Sequence, residues 1–170
     1  MNENLQQIKK AKSGDTEAFA GLYRMYYADL YRFALYTLRN PDDAEDAVSE
    51  TVIDAFSSIR KLRSEESFKA WIFKILSTKC KRQLGRHKDL SEEFLFEQAD
   101  ETAAGSLDEL IDLRNAFFRL NDEERLIISM HVFAGYTNQE IAKVLRKNAN
   151  TVRSKENRAL KKLLSQLNEQ

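Results

Sequence analysis

The chain has 170 residues, 42% of them hydrophobic and 32% charged, which is enough apolar material for one larger core or for two small helical domains. One proline and five glycines leave too little turn punctuation for a β-sandwich or barrel, and no run approaches the ~18 apolar residues of a membrane span. With 27 basic residues balancing 27 acidic ones, the chain does not coat nucleic acid by bulk charge, and with no apolar leader in MNENLQQIKK a cytoplasmic protein without direct membrane insertion is expected.

The first predicted helix spans Asp15 to Arg39, where Phe19, Leu22, Tyr23, Tyr26, Leu30, Phe33 and Ala34 recur at spacings of three and four. Asp15 suits its N-cap, and Asn40 followed by Pro41 stops it and starts the next, because proline costs nothing at a first helical position. The second helix turns Ala44, Ala47, Val48, Thr51, Val52, Ala55 and Phe56 inward and leaves its acids on the wet side. After the polar segment Arg60 to Ser67, a third helix carries Phe68, Trp71, Ile72, Ile75 and Leu76 inward and fades into the basic run Lys79 to Lys88. Residues 1–86 would form one helical domain.

Residues 87–106 lose helical periodicity, gain acid and end in Ala103, Ala104, Gly105 and Ser106, which reads as a flexible acidic linker with a helical turn around Phe94 to Phe96. In a second domain, 107–170, Leu110, Leu113, Phe117 and Leu120 repeat at helical spacing, and Asn121 with Glu124 starts a helix that Gly135 can close. Thr137 to Glu140 reads as a capping box opening a short helix with Ile141, Ala142 and Leu145. A turn at Arg146 to Lys147 leads to Asn148, which caps a final helix bearing Val152, Ala159, Leu160, Leu163 and Leu164. The fold class is all-α: two small helical domains joined by the acidic linker, the C-terminal one a helix-turn-helix.

Charge is arranged in blocks. Asp42 to Asp54 holds six acids and no Lys or Arg; Arg60 to Lys88 holds ten Lys/Arg against Glu65 and Glu66; Asp89 to Asp112 holds nine acids and no Lys or Arg; Lys143 to Lys162 holds eight Lys/Arg against Glu156. Such blocks also occur as plain solvated faces. Cys80 is the lone cysteine and His87 and His131 the only histidines, so no disulfide, metal site or cofactor is expected. No nucleophile–base pair, paired carboxylates or phosphate-cradling glycine loop is present, so the chain is not expected to be an enzyme.

A capped short helix, a tight turn and a longer basic helix make a helix-turn-helix, whose second helix can lie in a DNA major groove. Asn148, Asn150, Thr151, Arg153, Ser154, Lys155, Asn157 and Arg158 supply the hydrogen-bonding groups and cations for base reading and phosphate anchoring. A solvated C-terminal helix with cations favoured by the helix dipole is the alternative.

The stretch GYTNQEIAKVLRKNANTVRSKENRAL, Gly135 to Leu160, resembles DNA-binding region 4 of bacterial extracytoplasmic-function sigma factors, and Leu120 to Arg125 resembles the segment that precedes it. Independently, GDTEAFAGLY (Gly14 to Tyr23), DDAEDAVSE (Asp42 to Glu50) and FKAWIFKIL (Phe68 to Leu76) resemble, in order, three stretches of region 2 of the same proteins. The resemblance runs from about residue 8 to about residue 165. It departs from the family pattern at Arg146 and Lys147, where a glycine and an apolar residue are usual, and at Ser49, Thr78 and Asn121, where glutamine, asparagine and proline are frequent. A β-carbon at Arg146 is disfavoured if the turn demands a positive φ there.

The resemblance implies a subunit that binds core RNA polymerase and directs initiation at minus-35 and minus-ten promoter elements. Asp43, Glu45, Asp46 and Glu50 would dock on the clamp coiled coil, and region 4 would meet the flap. Arg60, Lys61, Arg63, Ser64 and Lys69 would hold a minus-ten base taken from the separated strand, where cations attract the backbone and a pocket offsets the cost of unstacking. Lys79, Arg82 and Arg86, with Lys81 and Lys88, would hold nearby duplex phosphates, while Trp71, spaced three from Phe68 and four from Ile75, reads as core. An anti-sigma factor is a further implied partner.

In the family the linker enters the RNA exit path. Its twenty residues reach at most ~68 Å against the ~70 Å of two DNA turns, so it would be stretched on a promoter. In the free chain its acids, Glu92, Glu93 and Glu97 among them, would lie against the basic blocks. Two rival readings are a free-standing helix-turn-helix regulator, which would need a dimer interface that no heptad run supplies, and a helical interaction protein that sequesters a transcription factor.

Overall fold

Side-chain caps open five of the eight α-helices in the computed structural model, which describes residues 3–86 and 107–169. Eight α-helices are present there: α1 (Glu3–Lys12), α2 (Thr16–Leu38), α3 (Pro41–Ser58), α4 (Phe68–Arg86), α5 (Leu107–Phe118), α6 (Asp122–Val132), α7 (Asn138–Leu145) and α8 (Ala149–Asn168). Asp15 accepts from the Ala18 N–H at the start of α2, and Asn40 accepts from the N–H groups of Asp42 and Asp43 with Pro41 leading α3. Both expected capping boxes form, Asn121 with Glu124 on α6 and Thr137 with Glu140 on α7. Helix α1 has no counterpart among the elements read from the sequence; it buries Ile8 and Ala11 and packs on α2.

In the first unit, α2, α3 and α4 pack around Leu22, Leu30, Phe33, Ala44, Ala47, Val48, Ala55, Phe68, Ile72, Phe73 and Leu76, all buried. The small residues of α3 let it sit close to α2 and α4. Phe56, expected inside, is instead 53% exposed and meets Phe19 edge-on at 5.2 Å, because one residue past Ala55 it is turned ~100° off the inward stripe. On α4, Phe73 is fully buried while Trp71 and Ile75 are half-buried, and the helix continues through the basic run to Arg86 instead of fading at Lys79.

The second unit packs α5, α6 and α8 through Ala116, Phe117, Leu120, Ile128, Ala159 and Leu163. The opposite face of α6, with Leu126, Ile127 and Met130, joins the core built by α2 and α4, so the two units meet directly. Arg125 crosses this seam, fully buried, donating to the carbonyls of Thr37 and Leu120 and pairing with Asp122. Arg39 donates to the Phe118 carbonyl at 3.0 Å, and Tyr136 donates its hydroxyl to the Ala70 carbonyl. Tyr36 packs among Phe117, Phe118 and Phe133. The linker 87–106, its turn at Phe94 to Phe96 and its acids lie outside the described residues.

Candidate nucleic-acid interface

In the C-terminal unit, α7 ends at Arg146, whose φ of 54° is a left-handed conformation that few non-glycine residues adopt. The chain then turns through Lys147 to Asn148, whose side chain accepts from the Asn150 N–H to start α8. Val152, Glu156, Ala159 and Leu163 face inward, which leaves Asn148, Asn150, Thr151, Arg153, Ser154, Asn157 and Arg158 exposed along the first half of α8. Arg153 and Arg158 carry no ion pair among the described residues, so both cations are available to a ligand.

Lys155 is placed differently. It stands three residues after Val152, at the edge of the inward stripe, and its ammonium is bound to Glu123 of α6. Lys147 reaches the same carboxylate at 2.8 Å, and the next residue, Glu124, takes Lys162 at 2.6 Å. Burial pushes the Glu123 carboxyl up, but the hydrogen bonds from Lys147 and Lys155 outweigh it and hold the group below the ordinary carboxylate range. About two turns further along α6, His131 lies 3.5 Å from the buried Glu156.

In the N-terminal unit the segment between α3 and α4 is two short 3-10 turns, Ile59–Lys61 and Glu65–Ser67, pinned by the buried Leu62. Arg60, Lys61, Arg63 and Lys69 are exposed around it. The Arg60 guanidinium lies over Gly14, where an added β-carbon would meet it at 3.1 Å and where φ is +105°. Lys12 of α1 pairs with Glu65 at 2.9 Å, and the Ser64 hydroxyl donates to Glu66, so that serine is already engaged. These hydrogen bonds, from Lys12 and from Ser64, hold the Glu65 and Glu66 carboxyls below their usual values. Beside the segment opens a cleft of about 270 Å³ lined by Asn4, Tyr26, Glu65, Glu66, Phe68 and Lys69. Its carboxylates repel a phosphate and suit a group with N–H donors.

The basic face of α4 is partly neutralised from within. Lys79 pairs with Asp54 and lies 3.7 Å from Glu50, and Arg82 pairs with Glu50. Of the cations singled out on α4, Lys69, Lys81 and Arg86 remain without an ion pair among the described residues, with the Lys69 ammonium 6.0 Å from the centre of the Phe73 ring. On α3, Glu45 and Asp46 are exposed and Asp43 is half-buried, whereas Glu50 is committed to α4. Periodicity did not reveal that Ile53 and Phe56 stand exposed on the same helix, 67% and 53%, giving its surface an apolar part next to the acids. Cys80 is buried, and burial pushes its thiol far up, so it is unreactive at neutral pH. No group of His, Cys, Asp and Glu suited to a metal occurs among the described residues.

Residues 22–89 match Sigma-70 region 2 and residues 116–164 match Sigma-70, region 4. The chain is 30% identical over 162 residues to the ECF RNA polymerase sigma factor SigM of Mycobacterium tuberculosis, covering 92% of this chain and 82% of that protein. It is 32% identical over 145 residues to the RNA polymerase sigma factor SigV of Bacillus subtilis, covering 82% and 84%. Among solved structures, CnrH in complex with the cytosolic domain of CnrY superposes with a TM-score of 0.69 at 24% identity, over 99% of each chain. The sigma factor RpoE of Bartonella quintana, in complex with the anti-sigma factor NepR, also gives 0.69, at 21% identity over 90% of this chain and 98% of that one.

The chain belongs to the extracytoplasmic-function sigma factors of the sigma-70 family. It is therefore a non-enzymatic RNA polymerase subunit that directs promoter recognition. No helix among the described residues is long and apolar enough to cross a membrane.

Proposed function

We propose that residues 1–86 bind core RNA polymerase and read and help melt the minus-ten element, and that residues 107–170 read the minus-35 element through α8. The observation that carries this reading is the open row Asn148, Asn150, Thr151, Arg153, Ser154, Asn157 and Arg158, set on α8 by a capped helix and a tight turn. Its amides and hydroxyls match base edges and its arginines match guanine or phosphate. Arg60, Lys61, Arg63 and Lys69 surround the segment before α4 and attract a single strand there, while the neighbouring cleft offers acceptors to an unstacked base. Arg86 adds a duplex phosphate contact. Lys79, Arg82 and Ser64 contribute only if DNA displaces their present partners.

For polymerase, Asp43, Glu45 and Asp46 form the acidic part of a docking surface on the clamp coiled coil, with Glu50 at its edge and Ile53 and Phe56 as its apolar part. The flap is the partner of the C-terminal unit. An anti-sigma factor is a fitting inhibitor, since the solved sigma factors of this fold include ones bound to such partners. Action on the cytoplasmic enzyme places the chain in the cytoplasm.

Runoff transcription with core polymerase on a genomic promoter library tests the reading. The expected result is initiation at a discrete set of promoters, lost when Arg153 and Arg158 are both changed to Ala and also when Arg60, Lys61 and Arg63 are. A chain that binds duplex tightly and specifically without polymerase would instead be a free-standing regulator.

A further inference from the structure

Glu123, in the first turn of α6, places one carboxylate oxygen on each of two lysines: Oε1 receives Lys147 Nζ at 2.8 Å and Oε2 receives Lys155 Nζ. The lysines belong to two parts of the helix-turn-helix, the turn between α7 and α8 and the second turn of α8. A single carboxylate thus fastens both the turn and the helix that follows it to α6.

This turn needs such a tie. Arg146 closes α7 at φ 54° with a β-carbon present, and although its N–H reaches the Ala142 and Lys143 carbonyls and the Lys147 N–H the Ala142 carbonyl at 2.9 Å, none of these bonds joins the turn to α6. Lys155 is also partly shielded from solvent, its side chain 26% exposed, whereas Lys147 at 38% lies in the open and is held by the ion pair alone. Glu124 repeats the device two helical turns along α8, at Lys162.

We infer that Glu123 is a positioning residue for promoter reading, holding Lys147 and Lys155 as tethers that set the angle of α8 and withholding both cations from DNA phosphates. The inference rests on the proposed role of α8. Within the basic block of the C-terminal unit it separates three cations that hold the helix, Lys147, Lys155 and Lys162, from two that face a ligand, Arg153 and Arg158.

The test uses the full chain with core polymerase and a fluorescent duplex carrying a promoter selected in the runoff experiment, with affinity followed against salt concentration. Each neutralised phosphate contributes a slope of about −0.9 in log affinity against log salt. Arg153→Ala and Arg158→Ala should each flatten the slope by about 0.9, whereas Lys155→Met should leave it unchanged. Glu123→Gln should steepen it by up to about 0.9 for each lysine released, and should cut discrimination against a minus-35 base-pair change severalfold; Glu123→Asp should restore both. An unchanged slope in Glu123→Gln, or one flattened by Lys155→Met, overturns the tether while the arginine variants still flatten it. Arginine variants that leave the slope unchanged overturn the reading of α8 itself.

Discussion

Arg125 of α6 donates from Nε to the carbonyl of Thr37 at 3.0 Å, so a buried cation of the C-terminal unit completes the end of a helix in the N-terminal one. Thr37 lies in the last turn of α2, where carbonyls have no partner within the helix. The contact is reciprocated. Arg39, the C-cap of α2, donates to Phe118, the last residue of α5. Each unit supplies the guanidinium that finishes a helix of the other, at the end where the helix dipole favours a cation.

Arg125→Met should lower stability by about 2–3 kcal/mol, because it strips charge-assisted hydrogen bonds from two buried carbonyls that gain no new partner. For a chain of this length that corresponds to a fall of roughly 5–10 °C in Tm. Thermal unfolding followed by circular dichroism measures it, and a change under about 1 °C would mean that Arg125 does not hold the two units together.

The seam is also built with faults. Arg39 lies close enough to Arg125 to push its guanidinium pKa down, after burial itself, and the hydroxyls of Thr37 and Ser129 are buried without hydrogen-bond partners. With one unit on each promoter element, as proposed, the two would lie about two DNA turns apart, and the seam would then part on a promoter. Small-angle scattering of the free chain should give a radius of gyration near the ~16 Å of a compact chain of this length. Arg39→Ala with Tyr136→Phe should expand it, and Thr37→Val, which removes an unsatisfied hydroxyl, should hold it closed and slow promoter binding. Free chain that is already expanded would contradict the closed arrangement.

Arg146→Gly should stabilise the C-terminal unit by about 0.5–1 kcal/mol, since glycine adopts the φ of 54° without a β-carbon penalty, partly offset by its freer unfolded state. Urea unfolding measures this; a loss of stability would mean that the arginine side chain supports the turn.

The Glu123 carboxyl is held below its ordinary value in the folded chain. Its contribution is therefore complete above the unfolded carboxylate pKa and is lost as pH falls through the lowered folded value. Glu123→Gln should flatten the acid limb of a stability–pH curve and leave the limb above neutrality unchanged. Urea midpoints taken across acidic and neutral pH check the sign, and an unaltered acid limb would show that the lysine pairs add nothing to folding.

The caps were legible because their chemistry is local: Asp15, Asn40, Asn121, Thr137 and Asn148 each act on backbone within three residues. Phe56 was misplaced because periodicity resolves a face only to about a residue, and neighbouring Ala55 took the buried position. The charge blocks could be counted but not paired. That Glu50 and Asp54 neutralise Lys79 and Arg82, or that Glu123 takes Lys155, depends on which helix faces which, and pairs 25 or more residues apart leave no periodic trace. The seam was invisible for the same reason: Arg125 and Thr37 are 88 positions apart.

Helix α1 buries only Ile8 and Ala11, yet its final residue, Lys12, braces the segment before α4 through Glu65, and the glycine just beyond it accommodates Arg60. A recombinant version beginning after Lys12 would keep most of the apolar interior and still lose the prop beneath that segment. On the role proposed for that segment, such a truncation would look healthy in a melting curve while failing at opening DNA, which would make bulk foldedness a poor guide to where this protein can be trimmed or tagged.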